Sequence, residues 1–234
     1  MFKLNNHWAL LTAILEALRA YTGSFEMMTS AAFNKFLKTI RRCEQLIESY
    51  KTLQEIDRAN QIQVPTPKDI VRGAVVLAVA ALDAYITDVF TEKLVTYLKK
   101  YPAESELIKL LFDAGLDTKE ALNLISMERP YRRIRTLVDG YYASFTTQKF
   151  DVIDQIFKPY RLKNITDNAA RKTGKKSIKG SVQKLVERRH QIAHAGDYNS
   201  HKRIIEIDEL QIGKRIKDLE LFVKSMDEII CNRI

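Results

Sequence analysis

Apolar positions recur along the chain at helical spacing and almost nowhere at the period of two that a half-buried strand requires. Residues 4–21 carry one such stripe, which ends at Thr22-Gly23. A longer stripe predicts a helix over residues 29–57, with Phe33, Phe36, Leu37, Ile40, Leu46, Ile47 and Leu53 on its apolar face. The polar stretch 58–64 reads as a loop. A third helix has a clear start: Thr66 suits the cap, Pro67 the first helical position, and Asp69 the positive end of the dipole. It should run to Tyr101, because Pro102 cannot donate a backbone hydrogen bond. Its segment GAVVLAVAALDAYITDVF is apolar almost all round, as a buried central helix is. Asp83 is the one carboxylate in the middle of that segment, and burial obliges it to find a donor.

Shorter elements follow. Residues 104–114 read as a helix. Asp117-Thr118-Lys119-Glu120 has capping-box spacing before ALNLISM. Residues 131–142 and 150–157 are further helices, and 203–207 is the one stretch of strand character. A last helix runs from Asp208 through Leu210, Ile212, Ile216, Leu219, Phe222, Val223 and Met226 to Ile230. The pattern predicts an all-α fold. A helical segment over residues 1–64 would pack on a helical domain over 65–234.

One helix gathers unusual chemistry. The string SVQKLVERRHQIAHAGD, residues 181–197, opens on Ser181 as a cap and closes on Gly196, where a positive φ is expected. Val182, Leu185, Val186, Ile192 and Ala193 form its apolar stripe, and Arg189 interrupts that stripe near its centre. A guanidinium keeps its charge, so Arg189 needs an anionic or hydrogen-bonding partner there. Asp83 has the opposite sign in an equally apolar setting, and the two are expected to meet as an ion pair. His194 lies off the stripe in the last turn, and His190 stands one turn before it. Arg188 is a supporting residue beside them.

Composition narrows the function. Hydrophobic residues make up 46% of the 234 residues, enough for a sizeable core, and the formal net charge is +9, which favours acidic partners such as nucleic acid. Residues 158–180 carry eight of the cations against one acid, Asp167. They read either as a solvated loop or as a phosphate-contacting arm, with Lys172, Lys175, Lys176 and Lys179 as candidate RNA contacts. Two cysteines, Cys43 and Cys231, make no disulfide framework, so a reducing compartment is expected. The apolar run 8–15 lacks a signal peptide's basic leader, and the run 73–82 is too short to span a bilayer. A cytoplasmic location without a membrane is therefore expected. No Gly-rich phosphate loop, CxxC, HExxH or serine elbow occurs, and no cofactor is called for. His190 and His194 have zinc-ligand spacing, but nothing suggests a third ligand, so no metal site is expected.

The run Arg189-His190-x-x-x-His194, within RRHQIAHAGD, resembles the Arg-x(4–6)-His motif of the HEPN superfamily, in its RiboL-PSP-HEPN branch. The apolar helix AVVLAVAALDAYITDVF and the tail IIEIDEL before a final apolar helix are similar in order and character. The likeness covers residues 68–234. It implies an all-α domain that often dimerises with two motif helices face to face. Many such proteins are metal-independent endoribonucleases, some in toxin or defence systems with a regulatory protein partner. Others bind RNA without cleaving it or serve as interaction modules. Some toxin members carry a Tyr two residues after the His; here that position is Gly196, and the nearest Tyr is Tyr198. The chemistry also suits the residues themselves. A histidine can take the proton of an RNA 2′-hydroxyl, and an arginine can stabilise charge on the phosphate.

Overall fold

The structure is a computed structural model that describes residues 29–60, 67–143 and 145–234. Those residues form nine α-helices, with no strand among them. They are α1 (Ala31–Ala59), α2 (Asp69–Lys100), α3 (Ser105–Asp113), α4 (Thr118–Ile125), α5 (Pro130–Tyr142), α6 (Phe150–Ile156), α7 (Ile165–Lys172), α8 (Ile178–Ala195) and α9 (Glu209–Arg233). The all-α expectation holds. The predicted helix over 4–21 and the Thr66 cap lie outside the described residues.

The centre of the bundle is α2. Val75, Val79, Leu82, Ile86, Val89, Phe90 and Leu94 are fully buried along its length, and α1, α5, α8 and α9 surround it. By length and composition this helix could also cross a membrane, which the run 73–82 alone did not suggest. Over half of its apolar window is covered by protein, which fits a core helix. Pro67 sits just outside α2 and does not occupy its first position.

Buried polar groups fasten the helices to one another. Ser30 caps α1 by accepting from the Phe33 N–H, and its own N–H and hydroxyl donate to Asp227 of α9. The Tyr85 hydroxyl of α2 donates to the same carboxylate at 3.1 Å. One buried Asp thus accepts from three donors on two other segments, which removes the need for a countercharge. Helix α1 continues through Arg58 to Ala59, past the start of the predicted loop 58–64, of which residues 61–64 lie outside the described ones.

Helix α5 runs back along α2. Lys99 of α2 lies over the Tyr131 ring, Phe90 meets Tyr142 edge-on at 5.2 Å, and Asp83 receives Thr147. The Asp117 carboxylate caps α4 by accepting from the Glu120 N–H at 2.8 Å. The box is only half made, since the Glu120 carboxylate accepts from Arg133 at 2.6 Å. Residues 203–207 form no strand; they contribute one antiparallel bridge, between Tyr198 and Ile204.

Candidate functional site

The motif helix α8 starts at Ile178, three residues before the expected cap. Ser181 cannot cap it, because it lies within the first turn and its hydroxyl donates to Asp218 of α9 at 2.5 Å. The buried ridge of α8 is Ile178, Val182, Leu185 and Arg188. The fully engaged arginine is therefore Arg188 and not Arg189. Arg188 Nη2 donates to Asp197 Oδ2 at 2.7 Å and to the carbonyls of Ile205 and Glu206 at 3.0 and 3.2 Å. Arg72, in the first turn of α2, donates from Nε to the same Asp197 oxygen at 2.6 Å and from Nη2 to the Ile205 carbonyl at 2.8 Å. Asp197 is 1% exposed, and its other oxygen, Oδ1, is buried without a partner. Burial holds the Arg188 guanidinium below its ordinary value, and the Asp197 charge opposes that pull.

Backbone geometry delivers Asp197 to this position. Gly196 ends α8 at φ +58, and Asp197 follows at φ +63, so two successive left-handed residues turn the chain back on itself. The Asp197 carbonyl then accepts from the Ile205 N–H at 2.8 Å. The end of α8, the start of α2 and the turn over 197–205 are locked by one carboxylate between two guanidiniums.

The motif residues stand on the outer side of this lock. Arg189 is half-buried, and its Nε is buried with no hydrogen-bond partner. His190 and His194 are exposed, with ring centroids 4.4 Å apart and planes inclined at 43°. Among the described residues no three His, Cys, Asp or Glu side chains gather as a metal site would need. The structure thus brings Arg188, Arg189, His190 and His194 together at the C-terminal end of one helix.

Other predicted members lie elsewhere. Asp83 does not reach Arg189: its carboxylate accepts from the Thr147 N–H at 2.7 Å, the Thr147 hydroxyl, and Gln148 Nε2 at 2.8 Å. Neutral donors from the segment after α5 satisfy it, so no cation is required. The stretch 158–180 is not a loop. It folds into a 3₁₀ turn (Lys158–Tyr160), α7 and the start of α8. Lys172 pairs with Glu228 at 3.0 Å, Lys175 with Asp218, and Lys179 with Asp167 at 2.5 Å. Lys176 is exposed and forms no ion pair among the described residues.

Two members of the lock, Arg72 and Asp197, stand outside the residues that the motif marks. The signal for Arg72 was there: a cation in the first turn of an otherwise apolar helix needs a partner as Asp83 does. Asp197 carried none, since its role depends on a left-handed backbone that only the folded turn reveals.

A family model for RiboL-PSP-HEPN matches residues 37–232. The chain belongs to the RiboL-PSP-HEPN family. The match takes in most of α1, which the resemblance read from residues 68–234 left outside. It spans every helix from α2 to α8 and nearly all of α9, so it covers most of the bundle described above. No curated protein and no solved structure is similar enough to count as a match.

Proposed function

We propose that this RiboL-PSP-HEPN protein is a metal-independent endoribonuclease that acts as a homodimer in the cytoplasm. The observation that carries this reading is Arg189: a half-buried guanidinium with an unpartnered Nε beside two exposed imidazoles. Arg189 forms no ion pair among the described residues, so the part of its half-buried guanidinium that solvent reaches is available to an outside anion, and a phosphodiester has the matching shape.

The reaction balances with these groups. His194 takes the proton of the 2′-hydroxyl, whose oxygen attacks the adjacent phosphorus. The bond from phosphorus to the 5′ oxygen breaks, and that oxygen receives a proton. The products are a 2′,3′-cyclic phosphate and a 5′-hydroxyl. Arg189 offsets the charge gained by the phosphate oxygens. A second copy of His194 across a dimer supplies the acid, with His190 in support. Each acid–base group contributes roughly 10²–10⁴-fold in such reactions.

The test is to incubate purified protein with mixed RNAs in EDTA and to examine the 3′ ends. Cyclic-phosphate ends that vanish with His194→Ala support the proposal. RNA binding with intact RNA would favour a non-catalytic RNA-binding module instead. Excess His194→Ala chain mixed with wild type should lower activity beyond dilution; strict proportionality after verified exchange would indicate a self-sufficient monomer.

A further inference from the structure

Residues 128–136, ERPYRRIRT, hold four arginines against one acid. Arg133 is taken by Glu120. The other three are exposed and form no ion pair among the described residues. Arg132 and Arg135 stand one turn apart on a shared face of α5, and Arg129 sits at the mouth of that helix. No acidic side chain occupies the first turn of α5, so the positive end of its dipole is not neutralised there. The Tyr131 ring is exposed at the same place, with Lys99 Nζ 5.3 Å from its centroid.

We propose that this end of α5 is a second RNA-binding surface, in which Arg129, Arg132 and Arg135 contact the phosphates of a single strand and Tyr131 stacks on a base. The inference rests on RNA being the substrate. Guanidinium forks match phosphate oxygens, and an aromatic face among cations is the usual platform for unpaired bases. The lysines of 158–180 are weaker candidates, because Lys172, Lys175 and Lys179 already hold internal carboxylates. Lys99 and Arg72 are 27 positions apart on α2, about 40 Å along a helix axis. The α5 surface therefore lies far from the motif and would grip a long RNA away from its cleavage point. Exposed Leu122 and Ile125 on α4 lie close in sequence, so an anionic bilayer is the rival occupant.

Binding is measured on the full chain with His194→Ala, so that RNA stays intact, using a long uridine homopolymer over a range of salt. Replacing Arg129, Arg132 and Arg135 together with Gln should reduce the slope of log affinity against log salt by about 2, since each single-strand phosphate contact contributes about 0.7. Tyr131→Leu should weaken binding about fivefold or more, and Tyr131→Phe should not. With His194 restored, the triple variant should raise KM for the long RNA and leave cleavage of a uridine dinucleotide unchanged. An unchanged salt slope with wild-type cleavage intact overturns this inference alone. Absence of RNA binding by the wild-type chain overturns the endoribonuclease reading with it. Loss of binding to phosphatidylserine vesicles, with RNA binding retained, would give the surface to a membrane and also overturns the inference.

Discussion

Two adjacent arginines of α8 should behave as opposites. Arg188 holds a buried carboxylate and two carbonyls, whereas Arg189 keeps a buried Nε without a partner. Arg188→Met should therefore unfold at lower urea, and Arg189→Met should keep its stability and lose cleavage. Asp197→Asn strands two guanidiniums around one site, and removing one member of such a buried set costs about 3–5 kcal/mol. Arg72→Met should cost less, because Arg188 still neutralises Asp197. Equal losses for Asp197→Asn and Arg72→Met in urea unfolding would count against the lock. Asp83→Ala leaves the Thr147 N–H and Gln148 without their acceptor and should cost about 1–3 kcal/mol. Since Asp83 and Arg189 do not touch, a double-mutant cycle with Arg189→Met should be additive within about 0.5 kcal/mol.

At the scale of elements, the bundle was largely legible in the sequence because its helices carry apolar stripes and capping residues on their own account. α2 is apolar almost all round, Asp117 caps as its position suggests, α9 begins within a residue of its predicted start at Asp208, and α5 and α6 fall within a residue of their predicted ends. Burial at the end of α8 was not legible, because it is made by the segment that follows the helix and folds back on it, together with Arg72 of α2. The turn over 197–205 folds onto the Arg188 flank, and its polar atoms leave no apolar trace in the stripe. The stretch 158–180 departs from the solvated loop its composition suggests for a related reason: its lysines look like a solvated run until α9 supplies Asp218 and Glu228. That correction can be tested within one element pair. The Asp218 carboxylate is buried and holds both Lys175 and Ser181. Lys175→Gln should lower the melting temperature by an amount worth about 1 kcal/mol, a modest figure because the lysine is partly solvated. Lys176→Gln, on an exposed side chain, should leave the melting temperature where it was. Equal melting shifts for the two would show that the Lys175 pair holds nothing.

For the molecule as a whole, one core around α2 contains several weak acids that are held neutral. Burial pushes the Cys43 thiol up to about 11, and it raises the phenols of Tyr85, Tyr142 and Tyr160 above their ordinary value. At Tyr85 the nearby Asp227 charge adds to the effect. These groups lie in different parts of the bundle, on α1, α2, α5 and the 3₁₀ turn. The unfolded chain releases their protons near the ordinary values of 9.0 for the thiol and 10.0 for the phenols, while the folded chain retains them. The folded state therefore binds more protons above about pH 9, and stability must fall as pH rises. Their contribution is fully present below the unfolded values and is lost progressively above them. Each group adds a slope of up to about 1.4 kcal/mol per pH unit while its two values differ. The urea midpoint should be steady up to pH 8 as far as these groups are concerned, and should then drop steeply between pH 10 and 11. Tyr142→Phe removes one of the titrating phenols and should make that drop shallower. An alkaline limb as steep in Tyr142→Phe as in the wild type would show that burial of this phenol does not set the alkaline limit of the fold.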